Sequence, residues 1–492
     1  MSNTDVEASS DVANTGVIVT DSGRWEMVVG LEVHCELATA TKLFCGCPNS
    51  FGDEPNTNVC PNCLGLPGSL PVLNRHAVEL AMRLGLALGC TIQDSVFHRK
   101  NYFYPDMPKG YQISQYDVPI NANGVLELID GTEIGIERAH LEEDTGKSTH
   151  MGGGGRIHDA DYSLVDYNRA GVPLVEIVSR PDIRTPEQAR LYANELRAIL
   201  VATGASDAKM EEGSMRVDAN VSVRKVGSDE LGTRCEIKNL NSVRSLGRAI
   251  EYEARRQVDL LEAGEKVVQQ TRHWDENDGR THTLRSKEEA YDYRYFPEPD
   301  LVPVAPDDQW RAEVASSLPL LPSQRRHRLA EATGTTLSET AVVVERGLDD
   351  LVLAAIECGG DAGRLLTHSE HNLAGMDPGG LSAESFAALT RLEVDGKITA
   401  TQAKVVLAEL VAQGGAGDPA DIAAAKGFET MNDDALASIV DEVIAANPDA
   451  WAKYKDGDAK ITGFFVGAVM KATQGKADGK AVNKLLRDRS QD

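Results

Sequence analysis

The chain has 492 residues, of which 41% are hydrophobic, so it holds enough apolar material for a substantial core and for two to four domains. Its 76 acidic residues against 50 basic ones give a net charge of −26, which argues against indiscriminate binding to nucleic acid because that binding needs a basic field. There is no run of about 18 apolar residues and no basic start with an apolar middle in the first residues, so we expect a soluble cytoplasmic protein without a membrane partner.

The first predicted element is a strand over residues 28–37, in which apolar and polar residues alternate. The alternation places Glu32, His34 and Glu36 on one face and the apolar residues on the other. Carboxylate oxygens next to an imidazole nitrogen are suitable ligands for a divalent cation. For this strand alone, a solvated outer face is an equally simple interpretation.

Four cysteines follow the strand in two close pairs. Thiolate pairs joined by a short loop suit a tetrahedral zinc site, and an intracellular chain favours thiols or metal over disulfides. We therefore predict a structural zinc ion, the alternative being reduced thiols without metal. The four predicted ligands are Cys45, Cys47, Cys60 and Cys63.

Helices in the first 300 residues are marked by capping residues and stop glycines. The segment from Asn74 to Gly89 has both signals, and Thr185 opens a capping box for a helix that ends at Gly204. Apolar residues recur at helical spacing over residues 246–261. These helices are expected to be structural.

Two segments between the first two helices carry polar residues without a clear period. Residues 101–114 form a predicted loop in which Lys109 is a candidate substrate contact, although a packed loop fits equally well. In the acidic segment 140–144, the pattern allows either Glu142 or Glu143 to face a metal. The glycine run after it lacks the Gly-Lys-Ser/Thr of a phosphate-binding loop, so we assign it no phosphate role.

Two further strands, near residues 214–224 and 234–239, repeat the pattern of one apolar and one polar face. Such strands predict an antiparallel sheet of an α+β domain, with helices on its apolar face. Carboxylates on the open face are suited to Mg²⁺ and the basic residues to phosphate oxygens, as an ATP site requires; compensating surface salt bridges are the alternative. The polar residues include Arg216, Asp218, Glu236 and Lys238.

Strand signals end at the proline-rich segment 295–306, which predicts a domain boundary near residue 310. The remainder predicts helices only, with a second break at Asp377-Pro-Gly-Gly380. Residues 451–492 hold nine basic residues against five aspartates, so local contact with nucleic acid is possible despite the acidic chain. A solvated helix end fits this segment as well.

Several of these segments in combination resemble the B subunit of the aspartyl/glutamyl-tRNA amidotransferase. The resemblance extends over about residues 25–490. Near the C-terminus, residues 461–476 resemble the tRNA-contacting tail domain of that family. The other segments that carry the resemblance are residues 29–37, 101–114, 140–144, 166–174, 216–220, 236–241 and 293–300.

The resemblance implies an α+β fold with three domains. The first is a glutamine-synthetase-like cradle domain with an antiparallel sheet over residues 25–310; residues 1–24 have no counterpart in the family, and we expect them to be a disordered extension. An all-helical domain over residues 311–376 and a helical, YqeY-like tail domain over residues 377–492 are expected to follow, the tail contacting tRNA.

The resemblance also implies a reaction, cofactors and partners. ATP phosphorylates the side-chain carboxylate of Glu on tRNA(Gln) or of Asp on tRNA(Asn), and ammonia displaces the phosphate to give the amide. The implied cofactors are ATP, Mg²⁺ and structural Zn²⁺. The chain shows no amidase-type Ser-Ser-Gly-Gly signature, so the expected partners are the family's amidase subunit, which supplies ammonia, its small third subunit and misacylated tRNA.

Residue by residue, the resemblance assigns roles to positions on the polar strands. The family's catalytic and metal positions match Glu32, His34, Glu143, Asp218 and Glu236, and Glu142 is a further candidate Mg²⁺ ligand. Candidate contacts to ATP or to the acyl carboxylate are Lys109, Arg216 and Lys238, and the family's zinc motif falls on the four cysteines. Two other functions stay open: a non-catalytic, zinc-containing tRNA-binding scaffold, and a small-molecule ligase like glutamine synthetase, against which the helical C-terminal third with its basic end argues.

Overall fold

The computed structural model describes residues 15–152, 160–286, 293–428, 433–455, 459–473, 477 and 479–491. The chain divides into two compact units, residues 1–323 and 324–492. Residues 1–14 of the predicted extension and most of the glycine run fall outside the described residues. No helix in the described parts of the chain is long and apolar enough to cross a membrane.

The first unit is built on a large sheet. Its strands are β1 (Val17–Thr20), β2 (Gly23–Glu36), β3 (Thr91–Ile92), β4 (Val96–Asn101), β5 (Tyr111–Val118), β6 (Asn121–Glu127), β7 (Glu133–Glu143), β10 (Pro173–Ser179), β11 (Met215–Lys225), β12 (Cys235–Leu240), β13 (Gln270–Asp275), β14 (Arg280–Ser286) and β15 (Phe296–Pro297). A separate two-stranded sheet consists of β8 (Lys147–Met151) and β9 (Tyr162–Asp166).

The sheet order brings strands that are distant in the chain next to each other. Its path runs β14-β13-β12-β11-β2-β10-β7-β5-β4-β15, with β1 beside β2, β6 beside β7 and β3 beside β6. The predicted sheet was antiparallel, and the pairing of β12 with β13 differs because it is parallel. The chain between these two strands contains a helix, which is the crossover connection that parallel neighbours require.

Four helices belong to the first unit: α1 (Arg75–Ala87), α2 (Pro186–Ala202), α3 (Val243–Glu262) and α4 (Asp308–Ser316). The predicted starts are confirmed, since Asn74 and Thr185 accept hydrogen bonds from the first-turn amides of α1 and α2. Helix α3 packs on β11 and on α2, and α1 packs on β6 and β7. The helices therefore cover the apolar face of the sheet, and the fold is α+β as predicted.

The alternation predicted for the polar strands is confirmed in the core. Along β2, Leu31, Val33 and Cys35 are buried, and every second residue of β11 from Met215 to Val223 is buried as well. These side chains join one hydrophobic cluster with residues of α1, α2 and α3. Because the apolar side is fixed in this way, the intervening polar residues are held on the opposite face.

The structure differs from the expected N-terminal extension and from the first predicted boundary. Residues 17–20 form β1, which pairs with β2, so the segment up to residue 24 is partly ordered in the sheet. Helix α4 lies in the first unit, because Trp310 donates a hydrogen bond to Glu79 at 3.1 Å and Val314 is buried in the core of that unit. The first unit thus extends beyond residue 310.

The second unit is helical throughout its described residues, as predicted. It contains α5 (Pro322–Thr333), whose first residues belong to the first unit, then α6 (Leu337–Glu345), α7 (Asp349–Glu357), α8 (Ala362–Thr367) with a π-helical turn at His368–Asn372, α9 (Ala383–Val394), α10 (Ala400–Ala412), α11 (Pro419–Ala425), α12 (Asp433–Ala446), α13 (Pro448–Lys455), α14 (Ala459–Ala472) and α15 (Gly479–Gln491).

Two hydrophobic cores divide these helices at a different place from the predicted break. Buried residues from Leu329 to Ala423 form one cluster, and those from Leu436 to Leu486 form another. The Asp377-Pro-Gly-Gly380 segment is therefore a surface turn between residues that share the first of these cores. The division falls between α11 and α12.

Candidate functional site

The polar faces of three strands predicted from the sequence meet in the sheet. Strand β11 lies between β2 and β12, with Asp218 opposite Glu32 and Arg216 opposite His34. Directly opposed residues of antiparallel strands project from the same face. Asn220 opposes Glu236 of β12, so the predicted residues of all three strands share one surface, which we call the polar face.

A compact group on the polar face joins three strands through His34, Glu142 and Glu176, and we call it the acid–histidine cluster. The Nε2 atom of His34 lies 3.7 Å from Glu142 Oε1 and 3.5 Å from Glu176 Oε2. One potential ligand atom from each of the three residues lies within 4.8 Å of the others. Two carboxylates and one imidazole at this spacing form a suitable donor set for a divalent cation.

The charges in the cluster are balanced by protons. Burial acts to lower the pKa of His34, but the Glu176 and Glu142 carboxylates outweigh it and raise this pKa to about 9. Burial and the charge of Glu176 raise the pKa of Glu142 to about 7. Burial opposes ionisation of Glu176, yet the neighbouring His140 and His34 lower its pKa below the ordinary value. A divalent cation would therefore displace protons from this cluster.

A second imidazole, His140, borders the cluster. Its Nε2 atom lies 3.6 Å from Glu176 Oε2, and burial lowers its pKa to about 4, so the ring is neutral at neutral pH. Among the described residues, neither ring nitrogen of this fully buried side chain has a hydrogen-bond partner. Buried polar groups are normally hydrogen-bonded, so an unpaired imidazole here calls for an explanation such as a bound ion or a catalytic role.

The predicted basic residues border the cluster in ion pairs. Lys238 Nζ lies 2.7 Å from Asp218 Oδ2 and 2.8 Å from Glu236 Oε1. Burial acts to lower the pKa of Lys238, but these two carboxylates raise it above its ordinary value. Beside Asp218, the carboxylate of Glu32 accepts a hydrogen bond from Asn220 at 2.8 Å. The cation of Lys238 is therefore fixed on the polar face.

Arg216 is held at the other end of the polar face. Its Nη2 atom donates to Asp144 Oδ2 at 2.9 Å, and Arg169 lies 3.3 Å from the same oxygen. The guanidinium group of Arg216 is partly exposed, and Asp144 is almost completely buried. One buried carboxylate thus positions two partly exposed arginines, of which Arg216 belongs to the polar face.

Glu143 and Lys109 lie apart from the cluster. Lys109 Nζ contacts both carboxylate oxygens of Glu143, at 2.6 Å from Oε2, and the Ile113 amide donates to Glu143 Oε1 at 3.0 Å. Both side chains are buried. Successive strand residues project to opposite faces, so Glu142 points into the cluster and Glu143 points away from it. The periodicity left both glutamates open and the resemblance favoured Glu143 as metal ligand and catalytic residue. The structure instead places Glu142 in the cluster and pairs Glu143 with Lys109.

The four predicted cysteines come together as expected. Their sulfur atoms lie within 4.8 Å of one another, and all four are free thiols. A hydrogen bond with Cys45 lowers the pKa of Cys63 to about 4, and the same bond raises the pKa of Cys45. The lowered pKa favours the thiolate form of Cys63, which is the form that binds metals. The geometry is compatible with one tetrahedrally coordinated ion.

Comparison with known proteins gives two family matches. Residues 27–312 match the GatB/GatE catalytic domain, and residues 364–489 match the GatB domain. Proteins named as the B subunit of aspartyl/glutamyl-tRNA(Asn/Gln) amidotransferase are 49% identical in Nocardia farcinica, over 94% of this chain and 95% of the relative, and 50% identical in Salinispora arenicola, over 95% and 96%. A relative of the same name from Thermoanaerobacter sp. is 48% identical over 94% of this chain and 99% of its own length.

This chain belongs to the GatB family. The GatB/GatE catalytic domain match contains the polar face, the acid–histidine cluster and the four cysteines, so the features with chemical potential fall in that domain. The GatB domain match covers helices α9 to α15, together with the segment from Arg364 that precedes them. The family named by the sequence resemblance is therefore confirmed.

Sequence reasoning missed Glu176, the residue that lies between the two histidines of this GatB site. Its strand, β10, is apolar except for this glutamate and one serine, and it has strands on both sides. A carboxylate in an otherwise apolar central strand costs free energy unless it has a partner. The isolated glutamate in this strand was therefore the sequence signal that could have identified Glu176 as a site residue. Its two histidine partners become visible only when the sheet order is known.

Proposed function

We propose that the polar face is the site at which ATP phosphorylates the side-chain carboxylate of an amino acid misattached to tRNA. A carboxylate oxygen attacks the terminal phosphorus of ATP and ADP leaves; ammonia then attacks the acyl carbon and phosphate leaves, giving the amide. Activation is needed because a carboxylate is a poor electrophile. Membership of the GatB family supports transamidation as the overall activity, with Glu-tRNA(Gln), Asp-tRNA(Asn) or both as substrates.

The observation that supports this proposal best is the excess of carboxylates on the polar face. ATP and the acyl side chain are both anionic, so the face would repel its substrates without additional positive charge. In the proposal, His34, Glu142 and Glu176 hold a Mg²⁺ ion, which supplies charge neutralisation at the transferring phosphoryl group. The carboxylates are Glu32, Glu142, Glu176, Asp218 and Glu236.

The residues of the cluster fit such an ion in two respects. The pKa values of Glu142 and His34 are both raised, so each side chain holds a proton in the absence of metal. A bound cation would replace these protons. The neutral His140 adds an imidazole with no hydrogen-bond partner among the described residues. Glu32, Asp218 and Glu236, which the resemblance assigns to metal and catalysis, border the cluster and are proposed to complete the site around the phosphates.

We assign the cations of the polar face to substrate binding. Lys238 is held between two carboxylates and remains partly exposed, so it can contact a phosphate oxygen without moving far. Arg216 presents a guanidinium group that suits the two oxygens of the acyl carboxylate. For Lys109 and Glu143 we propose a structural role, because each satisfies the charge of the other in a buried position.

We propose that the four-cysteine group holds a structural Zn²⁺ ion. The segment from residue 37 to residue 74 contains no regular strand or helix, so its backbone hydrogen bonds belong to turns and isolated pairs. Four thiolate–metal bonds would fix this segment beside the sheet. The buried Lys42, whose Nζ donates to the Tyr167 carbonyl at 3.1 Å, adds positive charge near Cys63.

The remaining parts of the proposal concern partners. We propose that the amidase subunit of the amidotransferase supplies ammonia, that its small third subunit completes the heterotrimer, and that the last helices contact misacylated tRNA. Exposed basic side chains on α13, α14 and α15 are available to neutralise phosphates. They are Lys453, Lys455, Lys471, Lys484 and Arg487.

An isotope experiment tests the chemical step. The complete complex is given ATP and Glu-tRNA(Gln) carrying ¹⁸O in the side-chain carboxylate, and the released phosphate is examined by mass spectrometry; Asp-tRNA(Asn) is tested in parallel. We expect one ¹⁸O atom in each phosphate, because the bond that breaks last joins the acyl carbon to that oxygen. Amide formation with unlabelled phosphate would exclude an acyl phosphate. No amide on either tRNA would favour the non-catalytic tRNA-binding scaffold.

A further inference from the structure

A second group of metal-ligating side chains lies on the hairpin of β13 and β14, separate from the acid–histidine cluster. Asp275 ends β13, Asp278 lies in the turn and His282 lies on β14. One potential ligand atom from each lies within 4.8 Å of the others. His282 Nε2 is already 2.7 Å from Asp278 Oδ2. Three donors are therefore close together without any rearrangement of the backbone.

A further imidazole lies beside this group. The register pairs His273 directly with His282, so both side chains project from the same face of the hairpin. Their ring centroids are 5.4 Å apart and the planes are tilted by 32°. Asp275 follows His273 by two residues and therefore lies on that face too. Two short strands thus present two imidazoles and two carboxylates on one side.

This donor set distinguishes among cations. Mg²⁺ and Ca²⁺ prefer oxygen donors, which predominate in and around the acid–histidine cluster, whereas a set with as many imidazoles as carboxylates suits Zn²⁺, Co²⁺ and Ni²⁺. Such ions bind at about 2 Å from each donor, so side chains whose donor atoms are 4.8 Å apart or less enclose one after small rotations. His282 and Asp278 are each 44% exposed, which gives them the freedom to rotate and gives an ion access.

We propose that the β13–β14 hairpin is a transition-metal site, in which Asp275, Asp278 and His282 bind the ion and His273 is the fourth ligand. The ion would link the two strands near the turn, through side chains on both strands and in the turn itself. Strand β13 also pairs with β12, where His273 lies beside Lys238 of the polar face. Binding would therefore stabilise the strand next to the one that carries Glu236 and Lys238.

Cobalt binding to the full-length chain tests this proposal, because the spectrum separates the types of site. Co²⁺ bound by the four cysteines gives intense thiolate charge-transfer absorption, whereas nitrogen and oxygen ligands do not. We expect His282→Ala to lower the affinity for one of the bound Co²⁺ ions by about tenfold or more, with the thiolate absorption unchanged. Asp278→Asn, a smaller change on an exposed turn, should weaken the same equivalent.

Two control variants make the result specific. His371→Ala removes an exposed histidine of the second unit, whose Nε2 atom lies 3.6 Å from Glu370. This variant should bind as many equivalents of Co²⁺ as the parent chain. His34→Ala affects the acid–histidine cluster and should leave the hairpin equivalent intact. If His282→Ala and Asp278→Asn both titrate with the same number of equivalents and the same affinities as the parent chain, the hairpin is not a metal site.

Discussion

Two neighbouring glutamates at the end of β7 have opposite environments. Glu142 faces His34 and Glu176 and shares its surroundings with another acid, whereas Glu143 faces Lys109, which supplies a full positive charge. Both side chains are buried. A buried carboxylate with its own cation is satisfied by the fold, whereas one that lies next to a second carboxylate retains a proton or requires an external cation.

The charged partner of each carboxylate separates structural acids from candidate metal ligands in this sheet. Glu26 resembles Glu143, because Arg224 donates to it at 2.7 Å on the same polar face. Glu176 resembles Glu142, because its charged partner is the imidazolium of His34, which loses its proton when a metal binds, while His140 is already neutral. A permanently charged lysine or arginine partner marks a structural acid, and the lack of such a partner marks a candidate metal ligand.

The largest expected effect is on Glu176. Replacing it by glutamine in Glu176→Gln removes a proposed metal ligand between the two histidines, and we expect the rate of amide formation to fall roughly 10³-fold, or about 4 kcal/mol of transition-state stabilisation. The matched control is Glu26→Gln, which changes a carboxylate on the same face that has its own cation; it should stay within about twofold of the parent. Equal losses in both variants would remove the distinction between the two classes.

The next effect is on stability. Glu143→Gln keeps an acceptor for the Ile113 amide but leaves the Lys109 charge unpaired in a buried position, which should cost about 3 kcal/mol of unfolding free energy. Urea unfolding followed by tryptophan fluorescence measures this loss. The control Glu187→Gln affects an exposed ion pair with Arg190 and should change the free energy by less than about 0.5 kcal/mol. A change of the same small size at Glu143 would contradict its structural role.

A smaller effect is expected when zinc is removed. Cys63→Ser or a chelator should lower the melting temperature of the chain, because the segment of residues 37–74 loses the crosslink that replaces regular structure. Calorimetry with a metal assay measures both quantities. The control Cys90→Ser changes a cysteine outside the cluster and should leave the zinc content unchanged. Full zinc content in Cys63→Ser would show that the four cysteines do not form the site.

The smallest expected effect is the pH dependence of metal binding. A cation in the acid–histidine cluster needs Glu142 ionised and His34 neutral, and their pKa values are about 7 and about 9. Between these values the binding of one ion releases one proton, so Mn²⁺ affinity should rise roughly tenfold per pH unit and level off above pH 9. Without metal, protonated His34 is more favourable in the folded than in the unfolded chain. This contribution to stability is complete below pH 6.5 and is lost as the pH rises through about 9.

Calorimetry in two buffers with different ionisation enthalpies measures the proton release directly. The variant Glu26→Gln serves again as the control, since its residue lies outside the cluster and should leave the number of protons unchanged. An affinity for Mn²⁺ that does not vary between pH 7 and pH 9 would contradict the arrangement of protons described here.

The sequence predicted best where local pattern determines orientation. Glu32, His34 and Asp218 lie on strands with one apolar face, and period two is sufficient to place them on the same surface. The caps at Asn74 and Thr185 are local as well, and both were predicted correctly. The spacing of the cysteines likewise predicted a four-sulfur group, and the structure brings these four sulfur atoms together.

The sequence predicted poorly where long-range pairing decides. At Glu142 and Glu143 the strand is buried on both sides, so neighbouring positions show no polar alternation. Glu176 acquires its histidines because β10 lies between β2 and β7, and that order is a tertiary property. The parallel pairing of β12 and β13 also depends on the path of α3. After residue 324, the sequence predicts helices but not which helices share a core.

The most direct test of the account compares Glu142→Gln with Glu143→Gln in the complete complex, with ATP hydrolysis that depends on misacylated tRNA as the measured quantity. The two changes are chemically identical and affect adjacent residues, so they differ only in the face that each side chain occupies. We expect Glu142→Gln to abolish this hydrolysis and Glu143→Gln to retain it at temperatures where the protein is folded. Hydrolysis that persists in Glu142→Gln and is lost in folded Glu143→Gln would contradict the account.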